Sequence, residues 1–203
     1  MIGIIDYGVG NLGSLENALN QLGERYHVAS CPTKMLQCKR YILPGVGNFA
    51  FGSKQIFHRG WNEFIQSTIS DSEVKLLGIC LGMQLLSDRG FEHGEHDGLG
   101  LIPGEVKKLR SSAPRTTHIG WNSLIEINTS CPLLRNIVEF TDFYFVNSYY
   151  FQNKCSQNIS AKTEYGSLFP SVIHKKNVFG VQFHPEKSSS AGLKIIQNFI
   201  EEI

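Results

Sequence analysis

The chain has 203 residues, 41% of them hydrophobic and 18% charged, with a formal net charge of +1. That size supports one domain, residues 1–203, with a real core, and so little charge makes no electrostatic case for nucleic acid or an anionic membrane. Five cysteines without a Cys-x-x-Cys pair suit reduced thiols in a cytoplasmic setting, and no apolar stretch approaches membrane-spanning length.

In chain order, the first half alternates strand and helix. Ile2–Ile5 is an apolar, β-branched run expected to form a strand. Leu12, Leu15, Leu19 and Leu22 then recur at helical spacing, and Gly23 supplies the stop. Between them, Gly8-Val-Gly10-Asn-Leu-Gly13 meets the letter of a dinucleotide fingerprint. The end of the next strand reads Val28-Ala-Ser-Cys-Pro32, with no acid to hold a ribose, so no cofactor is expected. Tyr26–Ala29 and Tyr41–Leu43 are the second and third strands, the third running into Pro44-Gly-Val-Gly47. Helical material fills Phe49–Ile69 with a break near Gly60. Such alternation with short connections predicts a parallel sheet covered by helices on both faces.

The stretch Val74–Leu86, VKLLGICLGMQLL, carries the chemistry. Its first half reads as a buried strand and its second, Leu81 to Ser87, as a helix. Gly78-Ile-Cys80-Leu-Gly82 between them has the form of a nucleophile elbow with cysteine at the apex. Glycines relieve the crowding where a strand turns sharply into a helix. A cysteine at a helix N-terminus is expected to favour its thiolate.

Beyond Gly90, Gly-Phe-Glu92-His93-Gly-Glu95-His96-Asp97 holds potential metal ligands, but in a glycine-rich loop that nothing makes converge, and no metal is expected. Strands then dominate: Glu105–Leu109, Trp121–Ile127, Phe143–Phe151, Ile159–Glu164, Val172–His174 and Val178–Phe183. An amphipathic helix over 191–203 closes the chain, with Leu193, Ile196, Phe199 and Ile200 on one face. Within Phe183-His184-Pro185-Glu186, the proline keeps His184 extended. Residues two apart then share a side, so Glu186 is expected to orient the His184 imidazole as the third member of a triad does. Cys80, His184 and Glu186 thus supply a nucleophile, a general base and an orienting carboxylate.

Gly78-Ile-Cys-Leu-Gly-Met-Gln84, Phe183-His-Pro-Glu186 and Pro44-Gly-Val-Gly47 together resemble the class I (triad) glutamine amidotransferases. Asp6-Tyr-Gly-Val-Gly-Asn-Leu12, Gly98-Leu-Gly-Leu-Ile-Pro-Gly104, His118-Ile-Gly-Trp-Asn122 and His184-Pro-Glu-Lys-Ser188 are similar to the glutaminase subunits of imidazole glycerol phosphate synthase, over essentially the whole chain. The resemblance implies a flavodoxin-like α/β fold with a mixed central sheet, flanking helices and added antiparallel strands. It implies that Cys80 attacks L-glutamine to give a thioester and ammonia, with His184 and Glu186 completing the triad. By the same resemblance, Val46 and Leu81 form the oxyanion hole, and Gly47, Gln84 and Ser148 hold the substrate. Ammonia would pass to a (β/α)8-barrel cyclase in a heterodimer, making imidazole glycerol phosphate and AICAR in histidine biosynthesis. Tyr7, Asn11, Trp121, Asn122 and Lys187 would face that partner or gate the ammonia. For Trp121 the competing reading is a core aromatic. One position departs from the pattern. Asn147 stands where histidine-pathway members usually carry histidine, which leaves open a paralogue feeding ammonia to an enzyme that amidates a surface-polysaccharide sugar.

Overall fold

The computed structural model describes residues 1–109 and 115–201. Its first half follows the alternation of the sequence: β1 (Ile2–Ile5), α1 (Leu12–Gln21), β2 (Tyr26–Ala29), β3 (Arg40–Leu43), α2 (Phe49–His58), α3 (Trp61–Ile69), β4 (Lys75–Ile79) and α4 (Leu81–Leu85). Strands dominate the second half: β5 (Arg89–Gly90), β6 (His96–Asp97), β7 (Gly104–Lys108), β8 (His118–Ser123), β9 (Asp142–Asn147), β10 (Tyr149–Asn153), β11 (Ile159–Glu164), β12 (Leu168–Lys175) and β13 (Val178–Val181). The closing helix α5 spans Ser189–Glu201; the last two residues of the expected helix lie outside the described residues.

Seven strands form the central sheet in the order β11-β12-β13-β4-β3-β1-β2. β2, β1, β3, β4 and β13 run parallel, and β12 and β11 add an antiparallel edge. Side chains alternate across a strand, so each strand feeds two cores. Ile4, Ile42, Leu77, Ile79 and Val181 pack with α1 and α5 through Leu15, Leu19, Ile195 and Phe199. Ile5, Tyr41, Leu43 and Leu76 pack on the opposite face with Phe49, Ile56, Trp61 and Ile65 of α2 and α3. Both faces being covered explains why these strands read as continuous apolar runs.

A second, four-stranded sheet, β10-β7-β5-β6, and a two-stranded ribbon, β8-β9, complete the fold. The expected strand Phe143–Phe151 is split at Ser148, its halves joining the ribbon and the second sheet respectively. The expected strand Trp121–Ile127 lies three residues early at its start, as β8. In the ribbon His118 pairs with Asn147 and Trp121 with Tyr144. Its polar residues His118 and Asn147 turn inward, while Ile119, Trp121 and Val146 are exposed.

Candidate active site

Cys80 sits at the carboxyl end of β4, where ligands gather in open α/β sheets, between the ends of β3 and β13. Its backbone adopts φ 53°, ψ −108°, a strained conformation for a residue with a β-carbon. Cys80 N–H donates to the Val181 carbonyl (2.8 Å), and the Cys80 carbonyl accepts from Gln84 N–H (3.1 Å). Close backbone approach fixes the flanking residues: a β-carbon on Gly78 would lie 2.6 Å from the Gly82 carbonyl oxygen, and one on Gly82 would overlap the Leu43 carbonyl. The helix that follows is only five residues long. Its dipole is correspondingly small, so the expected thiolate stabilisation by a helix terminus is not the main electrostatic feature here.

That feature is His184. The imidazole is buried and lines the same pocket as Cys80, while Nδ1 lies 2.8 Å from Glu186 Oε1. Burial pulls the His184 pKa down, but the Cys80 charge and hydrogen bond, with Glu186 behind, outweigh it and leave it raised to about 10. The imidazole is therefore held as imidazolium beside Cys80. His184 is extended, as its proline neighbour requires, but Pro185–Lys187 is a 3-10 turn. Glu186 reaches the ring by that turn and not by strand alternation, which corrects the expected reason for their pairing. The His184 backbone is tied to the ribbon: its N–H donates to the Tyr144 carbonyl (2.9 Å). Ser188 Oγ donates to the His184 carbonyl (2.6 Å) and accepts from Tyr144 N–H (2.9 Å).

The pocket beside the thiol holds about 260 Å³ and is lined in part by Val46, Gly47, Leu81, Gln84, Glu92 and Ser148. Gln84 Nε2 is engaged by the Tyr149 carbonyl (3.0 Å) and Gln182 Oε1 (3.1 Å), which leaves Oε1 as its group for a ligand. Ser148 Oγ and Thr117 Oγ1 share a hydrogen bond of 2.8 Å. Two lining or supporting residues escaped the sequence reading. Glu92, in the glycine-rich loop after Gly90, reaches the pocket and accepts from Phe49 N–H (2.8 Å). Gln182, fully buried, links Gln84 to the Cys80 sulfur (3.8 Å from Nε2). Its position two residues before His184 was the available signal.

Among the residues expected at a partner surface, Asn11, Trp121 and Lys187 are exposed and Asn122 is half-buried. Lys187 also lines the pocket. Trp121, 54% exposed, is no core aromatic. Tyr7 is the exception. It is wholly buried and cannot meet a partner, because the loop after β1 folds its ring beneath the loop after β3, where a β-carbon on Gly45 would come 2.5 Å from Tyr7 Oη. Asn147 is buried opposite His118 and lines the pocket. His118, stacked between Phe145 and Tyr165 (4.8 and 4.1 Å), is lowered by burial to a pKa of about 4 and is neutral. No helix among the described residues is long and apolar enough to cross a membrane.

A cysteine on an elbow, a charged histidine and a buried carboxylate, all at the carboxyl edge of this sheet, have a counterpart in known proteins. Residues 3–203 match the family model described as glutamine amidotransferase class-I, and the chain belongs to that family. Solved structures with the same fold include PurLQS from Thermotoga maritima, at TM-score 0.79 and 19% identity, covering 99% of this chain and 97% of that one. Within the family, the chain is 46% identical over 201 residues to an imidazole glycerol phosphate synthase subunit HisH from Desulfitobacterium hafniense (strain Y51), covering 98% of this chain and 93% of the relative. It is 45% identical to the subunit of the same name from Methanocaldococcus jannaschii, covering 99% of each.

Proposed function

We propose that this chain is the glutaminase subunit of an imidazole glycerol phosphate synthase, hydrolysing L-glutamine and passing the ammonia to a (β/α)8-barrel cyclase. The observation that carries this reading is Cys80 and His184 lining one pocket, with Glu186 Oε1 2.8 Å behind the imidazole, in a chain with full-length HisH relatives. Cys80 Sγ attacks the carboxamide carbon, and the developing oxyanion is met by the N–H groups of Val46 and Leu81. His184 Nε2 gives its proton to the departing nitrogen, releasing ammonia and leaving a γ-glutamyl thioester. His184 then takes a proton from water, whose oxygen displaces the sulfur to give glutamate. Glu92 is the pocket carboxylate suited to the α-ammonium group of glutamine. Gln84 Oε1 can accept from its carboxamide.

Asn147 does not favour the polysaccharide paralogue. Its side chain lies on the inner, pocket side of the ribbon and not on the outer face that would meet an acceptor enzyme. That outer face presents Ile119 at 64% and Trp121 at 54% exposure. An exposed tryptophan at the centre of such a patch is the type of residue on which interfaces turn. Trp121→Ala is expected to weaken cyclase binding by about thirtyfold, the equivalent of ~2 kcal/mol, with slow basal hydrolysis retained. Titration calorimetry with the purified cyclase checks this.

The test of the whole reading is steady-state glutaminase activity of the chain alone, with the cyclase, and with cyclase plus its acceptor substrate. The Gly45–Val46 peptide carries an oxyanion donor, and Gly47 beyond it adopts φ 100° with open space around it. A loop able to turn in this way can hold the donor out of the pocket. One missing donor costs about 10²–10³ in rate. The isolated chain is expected to be slow, with stimulation of about that order in the assembled, acceptor-bound enzyme. Gly47→Ala, strained at a positive φ, should blunt the response while partner affinity holds. Equal rates in all three conditions would sink the gate and point to a stand-alone hydrolase.

A further inference from the structure

Tyr7 has a fully buried ring whose Oη finds no hydrogen-bond partner among the described residues. Folded proteins seldom leave a buried hydroxyl unpaired. The hydroxyl has little freedom to leave, because the adjoining chain is pinned: Asp6 N–H donates to the Ala29 carbonyl (2.9 Å) and Gly8 N–H to Asp6 Oδ1 (2.9 Å). Oη lies against Gly45, on the protein side of the loop whose next residue, Val46, lines the pocket. Burial first, and then the Cys80 charge, push the phenol pKa well up, so the group is a proton donor at every working pH.

The peptide joining Gly45 to Val46 has its carbonyl and N–H pointing in opposite directions, as every trans peptide does. When Val46 N–H is aimed into the pocket, the Gly45 carbonyl is aimed back into the body of the protein, the side that Tyr7 Oη occupies. We propose that Tyr7 is a positioning residue for glutamine hydrolysis, its hydroxyl donating to the Gly45 carbonyl in the turned-in state and so holding Val46 N–H on the oxyanion. This deepens the gated reading above and rests on it. The residue acts through the loop and touches neither glutamine nor the thiol. It also gives the aromatic ring a reason to be tyrosine, since phenylalanine would fill the same space without an orphaned polar atom.

Tyr7→Phe removes one oxygen and keeps the packing. The experiment measures kcat and KM for glutamine with the chain alone and in the complex with cyclase and acceptor substrate, for wild type and variant. The ratio of complexed to isolated kcat is expected to fall about five- to tenfold, the worth of one neutral hydrogen bond. KM and cyclase affinity should hold, and the melting temperature of the isolated chain should equal or exceed that of wild type. A variant ratio equal to the wild-type ratio overturns the latch. A proportional fall in both rates also overturns it, because the hydroxyl would then be a static support of the elbow. Absence of stimulation in the wild type is a distinct result: it removes the gate itself, and the latch with it.

Discussion

Cys80→Ala is expected to abolish glutamine hydrolysis while the assembled enzyme still forms product from free ammonium. The side chain of Cys80 is the one nucleophile of the triad, with His184 on one side and Gln182 Nε2 at 3.8 Å on another. Without it no thioester can form, and loss of a triad nucleophile costs about 10⁶ in kcat. On the proposed division of labour, the ammonia-dependent half of the reaction needs no group on this chain. The readout is product formation by the complex with glutamine or with ammonium chloride as nitrogen source. If both activities disappeared while the complex remained assembled, the division of labour between the chains would be wrong.

His184→Ala is expected to approach the Cys80→Ala loss, because one imidazole serves as the acid that releases ammonia and the base that activates water. Glu186→Gln should cost less, about 10⁴, by analogy with loss of the orienting acid in other triads. A pH profile separates the roles further. The His184 pKa is raised to about 10, in part by Glu186. A group raised on folding contributes stability that is full below its unfolded value, about 6.5, and lost as pH rises through its folded value. The imidazolium is therefore kept through neutral pH and lost on the alkaline side. Glu186→Gln removes one cause of the rise, so the alkaline limb of kcat should move to lower pH. Single-turnover thioester formation across pH provides the measurement. A Glu186→Gln chain slower than His184→Ala, or one with an unmoved alkaline limb, would mean that the roles are wrongly assigned.

The central sheet was legible because most of its strands are short apolar runs, and β1, β2 and β11 coincide with their sequence reading residue for residue. The elbow was legible for a local reason: a strand, a reactive apex and a helix are consecutive in the chain. The ribbon was not. Its inner face mixes polar and apolar side chains, His118 and Asn147 lying buried beside Phe143 and Phe145, and His118 Nε2 pairs with Asn122 Nδ2 at 3.1 Å. Ile119, Trp121 and Val146 face outward on the other side, so neither face shows the clean apolar–polar alternation of a half-buried strand. Glu92 escaped because its role depends on a loop folding back to Phe49, forty-three residues earlier. Tyr7 was misplaced because a glycine-rich loop shows which backbone turns are open to it and not which side chain is tucked beneath its neighbour.

The ribbon has two strands and hydrogen-bonds as a ladder only to itself among the described residues, a unit of marginal stability in isolation. Its inner edge holds the backbone of His184 through Tyr144. Whatever braces the outer edge therefore narrows the positions open to the imidazole, and the coupling is thermodynamically reciprocal. If docking of a cyclase on Trp121 tightens glutamine by some factor, glutamine must tighten the cyclase by the same factor. A γ-glutamyl adduct on Cys80 that favoured the same imidazole position would then act as an adhesive between the subunits. The complex would be hardest to separate during the interval in which ammonia has been released and has not yet been consumed.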